Sequence, residues 1–243
     1  MGKIIQRNKI MPVILAAGYG SRLGSKSIEP KALLKINSKS IIEYTIEYLI
    51  QLGFTEIFIL VGYKKELIKK SLTKYKNKIK VNFYENKKFR ISGHGYSLYS
   101  LLNNFSIKND LLIIHGDLFF DNKIINLLLK NEKKNIIMID EKFSILTNDE
   151  VVVLGKNNKV SRIVKFNNKL KNIVGEIVGI NKWSLEFQKK YMSYCKKLFK
   201  NEGINFNWEP IIDRMLLENE IKSLNFNKIY KKKWININYK EDY

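Results

Sequence analysis

The stretch "PVILAAGYGSRLGSKSIEPKALLKI", Pro12–Ile36, begins as a buried strand and breaks into a glycine turn. Val13, Ile14 and Leu15, followed by the small Ala16 and Ala17, suit a parallel strand covered on both faces. Gly18 and Gly20 permit positive φ and let a ligand approach the backbone with no Cβ in the way. Such a turn after a strand exposes several N–H groups, a natural cradle for phosphate oxygens. Arg22 and Lys31 supply the charge a polyphosphate calls for. A bare Gly-x-Gly also fits an ordinary strand–loop–helix connection; the Arg and the Pro30-Lys31 pair set this one apart.

Outward from that turn, strand and helix patterns alternate. Pro12–Ala17 reads as a strand, and Ser40–Leu52 carries apolar residues at helical period and stops at Gly53. "EIFILVGY", "KVNFYEN" and "DLLIIHGD" read as strands, separated by helical patterns at Lys64–Tyr75 and "GYSLYSLLNNF". Lys123–Lys130 is helical. This alternation predicts an α/β fold whose sheet is mostly parallel and flanked by helices. From about residue 136, "NIIMID", "EVVVLG", "KVSRIVKF" and "NIVGEIVGINKW" are short strands between turn signals, which predicts a mixed-sheet extension. Helices at Ser184–Asn201 and Glu209–Glu218 and a late strand "WININ" complete the pattern. No repeat and no Pro/Gly/Ser-rich linker divides the 243 residues, so a single domain over 1–243 is expected.

Bulk composition narrows the functional classes. The single Cys195 excludes an internal disulfide framework and suits a reducing, cytoplasmic setting. With His94 and His115 as its only histidines, the chain is not expected to carry a structural zinc site. "MGKIIQRNKIM" has no apolar h-region, and no apolar run approaches a membrane span, so neither a secretory signal nor membrane insertion is expected. A formal charge of +21 invites a nucleic-acid reading. The lysines are spread through the chain among abundant Asn and Ile, and no nucleic-acid module appears, so no nucleic-acid partner is expected. The same positive field attracts nucleoside triphosphates and phosphorylated substrates.

Asp117 ends the hydrophobic run "LLIIHGD". Open parallel sheets bind ligands outside the carboxyl ends of their strands, so Asp117 and the Gly18–Arg22 turn should face one crevice. A lone carboxylate there suits a Mg²⁺ whose remaining ligands are water and phosphate oxygens. Alone, an Asp after a strand also fits a turn or cap residue.

These residues closely resemble the nucleotidyltransferase superfamily that activates sugar phosphates and alcohol phosphates. Its Leu-Ala-Ala-Gly-x-Gly-Ser-Arg-Leu turn followed by Pro-Lys stands here as Leu15–Leu23 and Pro30–Lys31. "HGDLFF" is similar to the family's metal-binding Asp segment, "VGEIVGINKWS" to a segment of its small cytidylyltransferases, and "KKWININYKEDY" to their closing stretch. The "YSLY" at Tyr96–Tyr99 points to the phosphocholine and 2-aminoethylphosphonate cytidylyltransferases. The resemblance implies a Rossmann-like, GT-A-like fold with a nucleotide-binding half over about 10–135 and an acceptor-binding half over about 136–243.

It also implies an activity: CMP transfer from CTP to a small phosphorylated or phosphonate acceptor, with Mg²⁺ as cofactor and pyrophosphate as product. A sugar-1-phosphate nucleotidyltransferase using UTP, dTTP or CTP is the alternative within enzymes, and a catalytically weak nucleotide-binding member the alternative outside them. By resemblance Leu15, Ala16, Ala17, Gly18, Tyr19, Gly20, Ser21 and Arg22 hold base and phosphates, and Gly93, Gly95 and Ser97 border the base. Arg22 and Lys31 are then catalytic, Lys31 stabilising charge on the α-phosphate. Asp117 and Asn238 take the metal positions, and Glu176, Trp208 and Glu209 the acceptor side. The family's late Asp aligns with Asn238 and its preceding Glu with Asn236, so the metal site lacks a carboxylate there. The aromatics Tyr96, Trp183, Trp208 and Trp234 admit both a quaternary-ammonium box and simple core packing.

Overall fold

The computed structural model describes residues 9–18, 29–142, 149–229 and 233–237. β1 (Ile10–Ala16), a 3-10 turn at Lys31–Leu33 and a hairpin of β2 (Lys35–Ile36) and β3 (Lys39–Ser40) lead to α1 (Ile41–Gln51). β4 (Glu56–Val61), α2 (Lys65–Leu72), β5 (Lys80–Glu85), α3 (His94–Asn104), β6 (Asp110–His115), β7 (Leu118–Phe120) and α4 (Lys123–Lys130) follow. The second half holds β8 (Ile136–Asp140), β9 (Val151–Lys156), β10 (Lys159–Lys165), β11 (Ile173–Trp183), α5 (Leu185–Glu202), α6 (Trp208–Leu217), β12 (Asn225–Ile229) and β13 (Trp234–Asn236).

Nine strands form one sheet in the order β5-β4-β1-β6-β11-β8-β12-β10-β9. β5, β4, β1 and β6 are parallel neighbours, as the alternating pattern predicts. The extension is not a separate sheet. β11 enters antiparallel between β6 and β8 and also meets β9, so one long strand fuses the two halves. Over the whole sheet the pairing is mixed, because β12 runs parallel to β8 while β10 is antiparallel to both β12 and β9. Sequence reading misses β12 for a simple reason: within "NFNKI" only Phe226 and Ile229 are buried, too little for a strand signal.

Alternate side chains of the sheet feed two cores. On one face Ile14, Ile59, Leu112, Ile114 and Met138 pack under α1, α2 and α4 through Ile46, Ile68 and Leu128. On the other, Val13, Leu60, Ile113 and Ile139 pack under α3, α5 and α6 through Leu101, Tyr191 and Ile211. Each such aliphatic side chain removed from water contributes about 1.5–3 kcal/mol. The helix starts are chemically marked. The Ser40 N–H donates to Glu43 Oε2 at 2.8 Å before α1, and Ser184 Oγ accepts from the Phe187 N–H at 3.2 Å before α5.

From β1 the chain moves outward to β4 and β5, then returns to place β6 on the other side of β1. The strand order therefore reverses between β1 and β6. At such a switch point the flanking loops diverge and leave a crevice beyond the carboxyl ends.

Candidate active site

β1 delivers the glycine turn to that crevice. Leu15 pairs with His115 across the β1–β6 boundary, and Ala16 with Val61 across β1–β4. The small side chains of Ala16 and Ala17 are buried, and both neighbouring strand ends are tied to this segment. The Gly116 N–H donates to Leu15 O at 3.0 Å and the Tyr63 N–H to Ala17 O at 3.3 Å. Gly18 is exposed, and a Cβ built on it would have no atom within 4 Å. Tyr19, Gly20, Ser21 and Arg22 lie outside the described residues.

Pro30 and Lys31 return to the same place. Pro30 is buried, Ala32 and Leu33 enter the core, and the Leu33 N–H donates to Pro30 O at 2.8 Å. Anchored this way, Lys31 places its Nζ 3.5 Å from Asp117 Oδ2. Two residues that the sequence offered as catalytic and metal-binding thus meet at the end of β6.

The C-terminal stretch reaches the backbone of the same aspartate. β13 pairs antiparallel with β7, Asn236 opposite Leu118, and the Ile237 N–H donates to Asp117 O at 3.0 Å. Among the described residues, Asn236 Oδ1 is buried and has no hydrogen-bond partner. Asn238 itself lies outside the described residues.

Gly93, Gly95 and Ser97 open α3, and the structure gives each a packing role. The Gly93 N–H donates to Ile204 O and the Gly95 N–H to Phe206 O, both at 3.1 Å. A Cβ on Gly93 would lie 2.2 Å from Phe206 O, and one on Gly95 2.7 Å from the same atom. Only glycine lets the segment before α6 lie this close to the helix start. Ser97 is buried and accepts from Asn86 Nδ2 at 2.7 Å.

Sequence reasoning set the two histidines aside, yet the fold brings them together. His94 opens α3, His115 closes β6, and Glu209 lies in the first turn of α6. His94 Nε2 is 3.4 Å from Glu209 Oε2, and His115 Nε2 is 4.0 Å from Glu209 Oε1. The Trp208 indole N–H donates to His115 Nε2 at 2.9 Å. Burial pushes His94 well below the ordinary imidazole range, helped by His115, and also lowers His115, against the pull of Asp117. Burial, with the charge of Asp117 adding to it, raises the Glu209 carboxyl to about 8. No spacing in the sequence announces this cluster. The only hint is that both histidines sit beside glycines at predicted element ends.

Glu176 lies elsewhere on β11, opposite Asp140. Burial first, then the neighbouring Glu150 and Asp140, raise it to about 8. The three acceptor-side candidates therefore fall into two groups, Glu176 among carboxylates and Trp208-Glu209 among histidines. The aromatics also divide. Trp183 and Trp208 are fully buried and meet edge-on at 5.8 Å. The Trp234 indole N–H donates to Asp140 Oδ2 at 2.9 Å, and Tyr96 packs against Phe199 at 5.6 Å.

Comparison with known proteins gives the family. The model of the MobA-like NTP transferase domain matches residues 12–169, which contain the glycine turn, Lys31 and Asp117. The choline-phosphate cytidylyltransferase of Streptococcus pneumoniae is 30% identical over 222 residues, covering 90% of both chains. The CTP:phosphoglutamine cytidylyltransferase of Campylobacter jejuni is 26% identical over 199 residues, 76% of this chain and 78% of that one. Among solved structures, the CTP:phosphocholine cytidylyltransferase of Streptococcus pneumoniae superposes with a TM-score of 0.74 at 25% identity, over 97% of this chain and 96% of that one. The chain belongs to the MobA-like NTP transferase family and is a nucleotidyltransferase.

Proposed function

We propose that the chain transfers CMP from CTP to a small phosphorylated or phosphonate acceptor and releases pyrophosphate. The convergence of Lys31 and Asp117 at the switch point carries this reading. The similarity to a choline-phosphate cytidylyltransferase over nine-tenths of both chains supports CTP as the nucleotide.

In this reaction an acceptor phosphate or phosphonate oxygen attacks the α-phosphorus in line. A new P–O bond forms, the bond to the bridging oxygen breaks, and pyrophosphate carries away the electron pair. The acceptor dianion is already a competent nucleophile, so positioning and charge stabilisation suffice. Leu15–Arg22 hold base and phosphates, Gly93 borders the base, and Arg22 contacts the triphosphate. The Lys31 ammonium faces the oxygens of the α-phosphate, where negative charge concentrates.

The residues present fit a Mg²⁺. Asp117 offers a partly exposed carboxylate, and the orphaned Oδ1 of Asn236 lies on the strand bonded beside it. Asp117 would hold the ion, with neutral amide oxygens of Asn236 or Asn238 in support. A bound Mg²⁺ neutralises charge on the phosphate oxygens. Trp208 and Glu209 are held in the core by the histidines, which leaves Glu176 as the acceptor-side carboxyl of the three.

A pyrophosphate-release screen tests the proposal: CTP, UTP, ATP, GTP and dTTP against phosphocholine, 2-aminoethylphosphonate, phosphoglutamine and sugar 1-phosphates. Turnover with CTP and a non-sugar acceptor is expected. Turnover confined to sugar 1-phosphates assigns the chain to sugar activation instead. CTP binding without pyrophosphate from any pair makes it a binding protein.

A further inference from the structure

We propose that His94, His115 and Glu209 form a binding site for a zinc-type divalent ion, distinct from the Mg²⁺ carboxylate at Asp117. The ligand atoms of all three residues lie within 4.8 Å of one another. A tetrahedral zinc with bonds of about 2.0–2.1 Å spaces its ligand atoms roughly 3.3–3.5 Å apart. His94 Nε2 already stands at that distance, 3.4 Å, from Glu209 Oε2, whereas His115 Nε2 stands 4.0 Å from the other oxygen, Oε1, so the carboxylate must turn to present one oxygen to both rings.

The donor set selects the ion class. Two imidazole nitrogens and one carboxylate suit zinc, cobalt or nickel, whereas Mg²⁺ takes oxygen ligands and keeps its waters. The frame is rigid, since the ligands stand at the start of α3, the end of β6 and the first turn of α6. The His115 ring is also packed in place, because a Cβ on Gly179 would lie 3.0 Å from its Cγ.

Two orphaned atoms mark the cluster as incomplete. Among the described residues, Glu209 Oε2, although 3.4 Å from His94 Nε2, and His94 Nδ1 are both buried without a hydrogen-bond partner. A buried carboxylate oxygen with no partner costs free energy that a cation would remove. At His115 the Trp208 indole N–H donates to Nε2, so that nitrogen is deprotonated and its lone pair points at the indole. An entering ion replaces the indole as the partner of this lone pair. Trp208 therefore competes with the ion, which gives the proposal a distinctive consequence.

The test does not depend on the nucleotidyltransferase reading. The full-length, tag-free protein, stripped with a chelator, is titrated with Co²⁺ while the visible d–d absorption is followed, and Zn²⁺ is then added as competitor. One equivalent of Co²⁺ is expected, with four- or five-coordinate bands that Zn²⁺ abolishes. His94→Gln and Glu209→Gln should each weaken binding tenfold or more, while Asp117→Asn, which removes a neighbouring charge but no ligand, should weaken it by much less. Trp208→Phe should tighten it. Absence of saturation at millimolar Co²⁺ in the folded protein overturns the proposal, as does binding that survives both ligand substitutions. Should His94→Gln and Glu209→Gln fail to fold by circular dichroism, Trp208→Phe decides, and unchanged or weaker binding there overturns the site.

Discussion

The Lys31 ammonium lies 3.5 Å from the Asp117 carboxylate, with both side chains partly open to solvent. Neither residue reaches this position through local chain geometry alone. Ala32 and Leu33 fasten Lys31 to one core, and Leu111 and Ile113 of β6 fasten Asp117 through the other. The pair is thus held in place by both cores before any ligand arrives.

Replacing Lys31 by Met keeps much of its packing and removes its charge. If the ammonium stabilises charge that builds on the α-phosphate, kcat should fall about 10²–10³-fold, the loss seen for one preorganised donor. KM should rise less than kcat falls. Steady-state rates at saturating CTP check this. A change confined to KM would leave Lys31 as a binding residue only.

Asp117 and the C-terminal strand make a second prediction. The Ile237 N–H bonds to the backbone O of Asp117, and Asn238 is the next residue in the sequence. Asp117→Asn should abolish turnover at millimolar Mg²⁺, since only neutral oxygens remain. Asn238→Asp should lower the Mg²⁺ concentration giving half-maximal rate. An initial-rate titration against Mg²⁺ for the three proteins decides, and an unmoved midpoint in Asn238→Asp removes that residue from the metal.

The opening turn of α3 yields a stability prediction. Gly93 and Gly95 face backbone atoms of Phe206 that no side-chain rotation can move aside. Gly93→Ala should destabilise by about 1–3 kcal/mol, the usual cost of overpacking. Gly95→Ala should cost a similar amount, because its added methyl also meets Ile211 Cδ1 at 2.7 Å. Urea unfolding measures both, and a loss below a few tenths of a kcal/mol would show that the 204–207 segment yields freely.

Much of this architecture is legible because strands covered on both faces are continuous apolar runs. "VIL", "IFILV" and "LLII" have no other comfortable home, and each ends where the crevice opens. The strand-end rule places Asp117 at the crevice, but Lys31 stands in the 3-10 turn Lys31–Leu33 and reaches Asp117 only because Ala32 and Leu33 pack into the core. The histidine cluster follows from nothing comparable. His94, His115 and Glu209 come from three elements far apart in sequence, and each alone reads as an element-end residue. Only the docking of α6 onto α3 and β6 assembles them. β7 escaped for another reason: "LFF" is too short to be told from the loop after β6, and its partner β13 lies far along the chain.

Glu176 gives the last prediction, with its sign fixed by linkage. Its carboxyl titrates at about 8 in the fold, pushed there by burial and then by Glu150 and Asp140, against an ordinary value of 4.5. Between those values the folded chain holds a proton that the unfolded chain has released. Stability contributed by this group is therefore complete below about pH 4.5 and is lost as pH rises through about 8. Glu176→Gln removes the ionisation while keeping a similar shape and an N–H donor in place of the acid O–H. The melting temperature of the variant should match that of the parent near pH 5 and exceed it at pH 9. The gap should open across the interval between. Thermal melts at several pH values give the comparison. A gap that is constant with pH would mean that Glu176 is ionised throughout, and that the carboxylates around it are farther apart in solution than β11 and β8 place them.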